Sequence, residues 1–325
     1  MKTTIIIPNY NGLGYLKACI ESLLADPVQA PVLVVDNGST DGSVEYLKDL
    51  TASHPLIEAL YLDHNTGFAP AVNAGIRASI TEYVLLLNND TEVEPGFVTE
   101  LEDVMDRHSD AFSVSARMMQ YQDKNRIDDA GDYYTLLGYA RARGKGKVYK
   151  ENGLYAKEKR IFSACAGAAI YRRSFLEETG LFDEAHFAYL EDLDLGYRGI
   201  LYGYHNYYAP KAVVYHVGSA SSGSRHNAFK VRLSARNNLY LTCKNEPLLQ
   251  WLVNAPFLLM GCLIKGLFFS LKGLGKDYWK GLGDGIRLAL SEEGRAKHVS
   301  FRFARFFRYI LIEFELILNV FRMIL

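Results

Sequence analysis

The 325-residue chain reads as an α/β protein built on a mainly parallel central sheet, and three observations carry that reading. Apolar runs at 4–7, 31–35, 57–62 and 83–87 are continuous rather than alternating, as in strands covered on both faces. The first three lead into segments with helical spacing of apolar residues, such as Leu16, Cys19, Ile20, Leu23 and Leu24. The strands stop at polar turn residues, which puts Asn9, Tyr10, Asp36 and Asp90 at carboxyl ends, where such sheets hold ligands.

Taken in order, the first strand ends at Pro8 and the loop of Asn9, Tyr10, Asn11 and Gly12. The second ends at Asp36, and DNGSTDGS supplies a turn and an N-cap ahead of Val44, Leu47 and Leu50. The third leads through HNTGFAPAVNAG into a helix through Ile76 and Ile80, and the fourth ends in Asn88, Asn89 and Asp90. A helix over about 95–107 and a strand over 111–116 follow. The alternation then stops, because 120–160 is polar, tyrosine-rich and dotted with glycine. Its basic tract ARARGKGKVYKENG, 140–153, reads either as a lid over a phosphate-bearing ligand or as a solvated insertion. Residues 161–171 read as one strand, 175–181 as a short helix stopped at Gly180, and 202–217 as two short strands around Pro210. They end in His216 and a serine-rich loop.

A hydrophobic share of 49% fits a globular protein with a sizeable core, and the net charge of −1 hides an asymmetry. Ten Lys or Arg stand against four acids in 265–308, which suits an anionic surface; no nucleic-acid partner is expected. Cys19, Cys165, Cys243 and Cys262 lack the spacing of a zinc site or disulfide framework, so a reducing compartment is expected. The opening MKTTIIIPNYNG is too short in apolar residues for a signal peptide, which points to the cytoplasm. There is no P-loop lysine motif, no GxGxxG after the first strand and no GxSxG elbow.

The stretch FAYLEDLDLGYR, 187–198, sets three acids and an arginine among apolar and aromatic residues. In a helix from about Leu190, Glu191, Asp194 and Arg198 share a face and Asp192 points elsewhere. A carboxylate there, near apolar side chains and other acids, has its pKa raised towards the range of a general base. An amphipathic helix with an internal ion pair accounts for the same letters. Asp90 suits either Mg or Mn shared with phosphate oxygens or the cap of the next helix. Asp36 is placed to accept hydrogen bonds from a base or ribose, and His216 reads as a metal or phosphate contact or as a structural histidine.

Over 3–245 the chain resembles the family 2 glycosyltransferases, whose nucleotide-sugar fold is called GT-A. The resemblance is carried by IIIPNYNG at 5–12, VVDNGSTDGS at 34–43, NTGFAPAVNAGIR at 65–77, LLLNND at 85–90, FDEAHFAYLEDLDLGYR at 182–198 and VVYHVGSASS at 213–222. It looks like the bacterial rhamnosyltransferases and related enzymes that extend lipid-linked polysaccharides. The resemblance implies an inverting transfer from a nucleotide-diphosphate sugar to a glycan or polyprenyl-diphosphate-linked acceptor. It implies a donor site of Pro8, Asn9, Tyr10, Asp36, Asn65, Gly67, Arg77, Asn88 and Asn89, and a Mg or Mn ion at Asp90 with help from His216. Asp192 matches the base, with Glu191 beside it and Arg198 six residues on. Two departures stand out. NND replaces the family's DXD, leaving one acid for a metal, and Pro70 stands where a small residue is usual. A non-catalytic sugar-nucleotide-binding or scaffold protein is the competing reading; a nucleotidyltransferase lacks its basic glycine-rich loop here.

After Pro247 the composition changes. PLLQWLVNAPFLLMGCLI carries no charge, yet Gln250, Asn254 and two prolines weaken it as a membrane span. Residues 301–325 mix Phe303, Phe306, Phe307, Ile310 and Phe314 with Arg302, Arg305 and Arg308, as in a helix lying in an anionic interface. The expected organisation is a GT-A catalytic domain over 1–245, with a nucleotide-sugar half to about 117 and an acceptor half over 118–245. A helical region over 246–325 then meets the inner face of the cell membrane, packs on the domain, or pairs two chains.

Overall fold

The computed structural model describes residues 1–26, 30–218 and 227–324. Its first half is the expected succession: β1 (Thr3–Asn9), α1 (Leu13–Leu24), β2 (Val32–Asp36), α2 (Ser43–Ser53), β3 (Ile57–Tyr61), α3 (Phe68–Ala78) and β4 (Tyr83–Leu87). These strands lie in the order β3, β2, β1, β4, all parallel, with Asn9 opposite Asp36. Successive residues of β1 point to opposite faces, so Ile5 and Ile7 pack with α1 and α2 while Ile6 packs with α3. Pro70 sits in the first turn of α3, where no intrahelical N–H is required, and leaves the helix intact. The helix stops at Ala78 because Ser79 turns extended, so Ile80 lies outside it and is exposed, contrary to the sequence reading.

Next come β5 (Thr91–Val93), α4 (Phe97–Arg107), β6 (Ala111–Gln120), β7 (Ile127–Asp129), β8 (Asp132–Tyr134) and β9 (Ala140–Ala142). They are followed by β10 (Lys159–Ile161), β11 (Ala168–Arg172), α5 (Arg173–Thr179), α6 (Glu191–Tyr202) and β12 (His205–His216). Two sequence expectations are corrected here. The apolar run 161–171 is not one strand: β10 pairs with β12 at the edge, residues 162–167 leave the sheet, and β11 inserts between β4 and β6, antiparallel to both. The stretch around Pro210 is a single strand, parallel to β6 on either side of a register shift between Ala209 and Val213. Proline lacks the N–H a ladder needs, so the irregularity falls there without ending the strand.

The basic tract is mostly exposed, as a solvated insertion is, but two of its cations are tied to the body. Arg143 is buried, donates to the Ala130 carbonyl at 2.9 Å and lies over the rings of Tyr155 and Tyr208, while Lys145 pairs with Asp128 at 2.7 Å. The four cysteines are free thiols. Residues 219–222 of the last motif and its serine-rich loop lie outside the described residues.

The described residues end with α7 (Ala228–Asn245), α8 (Leu248–Leu271), α9 (Gly275–Leu290), α10 (Glu292–Ala296) and α11 (Phe306–Ile324). They pack on the body. Leu258 and Cys262 of α8 meet Val231, Ala235 and Leu239 of α7, and Tyr309, Ile312 and Leu316 of α11 meet Leu193, Tyr197 and Leu201 of α6. At Gly261 the α8 backbone comes so close to the Leu137 carbonyl that any side chain would collide with it.

Candidate active site

A cleft of about 620 Å³ opens at the carboxyl ends of β1 and β4, facing the first turn of α6. Its walls include Pro8, Asn9, Tyr10, Asn65, Gly67, Asn88, Asn89, Asp90, Glu191, Asp192 and His216. Asp36 stands one layer behind: Asn89 donates to the Asn9 side chain at 2.7 Å, and Asn9 donates to Asp36 at 3.0 Å. The Ser39 N–H holds the other Asp36 oxygen at 2.9 Å. Asn65 accepts from the Gly67 N–H at 3.0 Å, and Gly67, at φ +97°, lets the start of α3 press against Phe187. A Cβ at Gly67 would stand 2.6 Å from that ring.

Arg77 and Arg198 do not reach this cleft. Both line a separate cavity of about 500 Å³, where exposed Arg77 pairs with Glu184 at 2.9 Å. Arg198 is buried, bonding Asp194 at 3.0 Å and the carbonyls of Thr179, Gly180 and Leu181. Asp194 also takes Lys244 at 2.8 Å, and these cations outweigh its burial and hold its carboxyl well below the usual range. Of the expected shared face of Glu191, Asp194 and Arg198, the last two pair and brace α6 from behind, whereas Glu191 lines the cleft.

Asp192 is a half-buried acid on the cleft wall. One of its oxygens accepts from the Ala166 N–H at 3.1 Å and the other from the Leu193 N–H at 2.7 Å. Burial raises its pKa, and those two N–H groups pull it back. Glu191 is buried, and its Oε2 has no hydrogen-bond partner among the described residues. Burial, then the charge of Asp192, pushes its pKa well up. Both carboxyls line the cleft, and Glu191, without the N–H contacts that hold Asp192, is pushed up the further of the two.

His216 lies beside Asp90 because β12 runs antiparallel to β5, with His216 opposite Thr91. Its Nε2 is 3.4 Å from Asp90 and its Nδ1 is 2.9 Å from Asp128. Burial lowers the imidazole pKa, but the hydrogen bonds and charges of Asp128 and Asp90 win and raise it to about 9. Once it gives up a proton, an imidazole nitrogen at that separation from a carboxylate oxygen has the spacing of neighbouring ligands on one divalent cation. Such a set leaves positions for phosphate oxygens and water, so Asp90 and His216 fit the expected ion despite the missing acid of DXD.

Several residues at the site escaped the sequence reading. Asp132 lines the cleft; with Asp129 and Cys165 it offers ligand atoms within 4.8 Å of one another. Burial, then neighbouring carboxylates, pushes Asp132 well up, and burial pushes Asp129 to about 7. The acid run IDDAGD was the available signal. Ahead of α6, Phe187, Tyr189 and Leu190 all have positive φ. Asn237 of α7 holds that turn by donating to the carbonyls of His186, Ala188 and Tyr189 at 2.9, 2.8 and 2.7 Å. Nothing in the letters around Asn237 marks that role.

The parallel sheet, the inserted antiparallel β11 and a cleft at the strand ends define a GT-A protein. The chain belongs to glycosyl transferase family 2, whose family model matches residues 4–180, and it is a glycosyltransferase. It is 26% identical over 239 residues to the N-acetylglucosaminyl-diphospho-decaprenol L-rhamnosyltransferase of Mycobacterium tuberculosis, covering 67% of this chain and 77% of that one. The S. aureus TarS 1–349 structure in complex with UDP-GlcNAc matches with a TM-score of 0.59 at 19% identity, covering 96% of this chain and 90% of that one. The mannosyltransferase PcManGT of Pyrobaculum calidifontis, in complex with GDP-Man and Mn2+, matches at 0.56 and 14% identity, covering 96% and 87%. At these identities the two structures share the fold.

Proposed function

We propose that the protein is an inverting hexosyltransferase acting in cell-surface polysaccharide synthesis. It moves a sugar, rhamnose in the simplest reading, from a nucleoside diphosphate to a hydroxyl of a polyprenyl-diphosphate-linked saccharide. The observation that carries this reading is Asp192, a partly desolvated carboxylate oriented by two backbone N–H groups on the wall of the cleft. The mycobacterial relative's name supports both the sugar and the acceptor class.

In this mechanism the nucleotide end lies along Pro8, Asn9 and Tyr10, with Asp36 fixing Asn9. Asp192 takes the proton of the acceptor hydroxyl as that oxygen bonds to the anomeric carbon. The bond from that carbon to the diphosphate breaks on the opposite face and its electron pair leaves with the phosphate, giving inversion. Glu191, protonated, adds no second negative charge beside the base. Asp90 and His216 would hold a Mg or Mn ion, which when bound supplies positive charge for the leaving diphosphate. Arg77 and Arg198 have structural roles in this reading, since both lie outside the cleft.

The catalytic domain spans 1–245, and 246–325 seats it peripherally on the inner face of the cell membrane. Outward residues of α8 and α11, among them Leu252, Leu263, Leu267, Phe307 and Phe314, are exposed, and Arg302, Arg305 and Arg308 stand just ahead of or within α11. The helix Leu248–Leu271 is long and apolar enough to cross a membrane, but its Asn254, Leu258, Gly261, Cys262 and Gly266 pack on the protein. A bilayer surface covers the rest.

The test is a donor screen with purified protein: dTDP-rhamnose and UDP- and GDP-sugars, with Mg or Mn, with and without a lipid-diphosphate GlcNAc acceptor. Acceptor-dependent release of one nucleoside diphosphate, with inverted anomeric configuration in the product, is expected. Binding of donors without turnover on any acceptor would favour the non-catalytic reading.

A further inference from the structure

A further cavity of about 390 Å³ shares Ala140, Tyr189, Leu190, Lys230 and Ser234 with the cleft, so the two adjoin through common walls. Its far side is made by α8 and α9, with Lys265, Phe269 and Tyr278. Lys265 comes from α8. Its Nζ donates to the Gly138 carbonyl at 2.9 Å and lies 4.4 Å from the centroid of the Tyr139 ring. An ammonium has three donors, and this is the one hydrogen bond Lys265 makes among the described residues, which leaves two open. No carboxylate among those residues pairs with it, and burial lowers its pKa to about 8. A half-buried cation beside Phe269 and Tyr278, with Lys230 on the same wall and no carboxylate partner among the described residues, is set to gain from an anionic ligand.

The surroundings narrow the choice of anion. On one side lies the cleft with Asp192; on the other, α8 turns Leu263, Ile264, Leu267 and Leu271 outward, all exposed. Acid, unpaired cation and apolar helix follow in the order of the three parts of a lipid-linked sugar: hydroxyl, phosphate, hydrocarbon. We propose that this cavity binds the phosphate of the lipid-linked acceptor, with Lys265 as its cationic contact, the sugar reaching into the cleft and the hydrocarbon leaving along α8. The assignment rests on the proposed reaction and adds where the acceptor's charged group is held.

The experiment compares wild type, Lys265→Gln and Lys265→Arg in detergent on two acceptors with the same sugar. One is a short-chain prenyl diphosphate sugar and the other is an alkyl glycoside without phosphate. Loss of a charged hydrogen-bonding contact predicts a KM for the diphosphate acceptor about 10- to 100-fold higher in Lys265→Gln. Activity on the alkyl glycoside and the donor Kd stay unchanged, and Lys265→Arg recovers part of the loss. Equal losses on both acceptors would mean that Lys265 only anchors the Gly138 turn, and no loss on either would also overturn the site. Weaker binding to anionic phospholipid vesicles with unchanged acceptor selectivity would give the cavity to a bilayer headgroup and overturn it too. If wild type transfers to neither acceptor, the reaction is wrong. The same three proteins, titrated with the diphosphate acceptor by calorimetry, then decide the cavity by the ratio of their Kd values.

Discussion

At the residue scale, the site depends on a turn the chain would not adopt by itself. Non-glycine residues at positive φ cost roughly 1 kcal/mol or more each, and Phe187, Tyr189 and Leu190 all adopt it just before the acids. The three bonds from Asn237 offset that cost and set where Asp192 points. Asn237→Ala should therefore lower kcat by about 100-fold, as displaced catalytic groups do, while donor Kd moves little. Donor titration beside steady-state rates checks this, and an unchanged kcat would show that the turn holds without the clamp. The separation of Asp192 from Asp194 and Arg198 was legible in the helical spacing, but the same spacing grouped Glu191 with those two, and it lines the cleft instead. Asn237 and Asp132 were not legible, since their roles come from contacts made across long stretches of chain.

At the scale of elements, α6 and α7 are joined by buried charge. Lys244 bridges Asp183 at 2.7 Å and Asp194 at 2.8 Å, Asn245 donates to Asp194, and Tyr240 donates to Asp183. Asp183, His186 and Asp194 lie close enough to suggest a metal site, but the Lys244 ammonium already takes both carboxylates. His186 is buried within this group, and neither ring nitrogen has a hydrogen-bond partner among the described residues. Burial, aided by Lys244 and Arg198 against Asp194 and Asp183, lowers its pKa to about 4. The unfolded chain, at about 6.5, binds the proton first, so this contribution to stability is complete above pH 6.5 and falls away from there down to about 4. Urea unfolding across that window should show wild type losing up to about 3 kcal/mol more than His186→Phe. Parallel curves for the two proteins would contradict the neutral, buried imidazole.

Over the whole molecule, the parts legible in sequence were those set by local periodicity. The βα units of β1 to β4 and the start of α6 follow from apolar spacing and turn residues within a few positions. The insertion of β11 between β4 and β6 depends on which distant strand each run meets, and an apolar run does not encode that. The 140–153 tract looked solvated because its arginines and lysines carry charge, yet stacking on tyrosines and one carbonyl bury Arg143. The C-terminal helices were readable as apolar and basic. Membrane attachment predicts sedimentation with anionic vesicles that weakens as salt rises and falls several-fold in Phe307→Ser/Phe314→Ser. Binding equal to neutral vesicles at every salt concentration would remove the role of Arg302, Arg305 and Arg308.

The central claim is that Asp192 is the base, and single-turnover transfer by Asp192→Asn tests it most directly. The account predicts a rate about 10²- to 10⁴-fold lower with donor Kd unchanged. Transfer at the wild-type rate would contradict it.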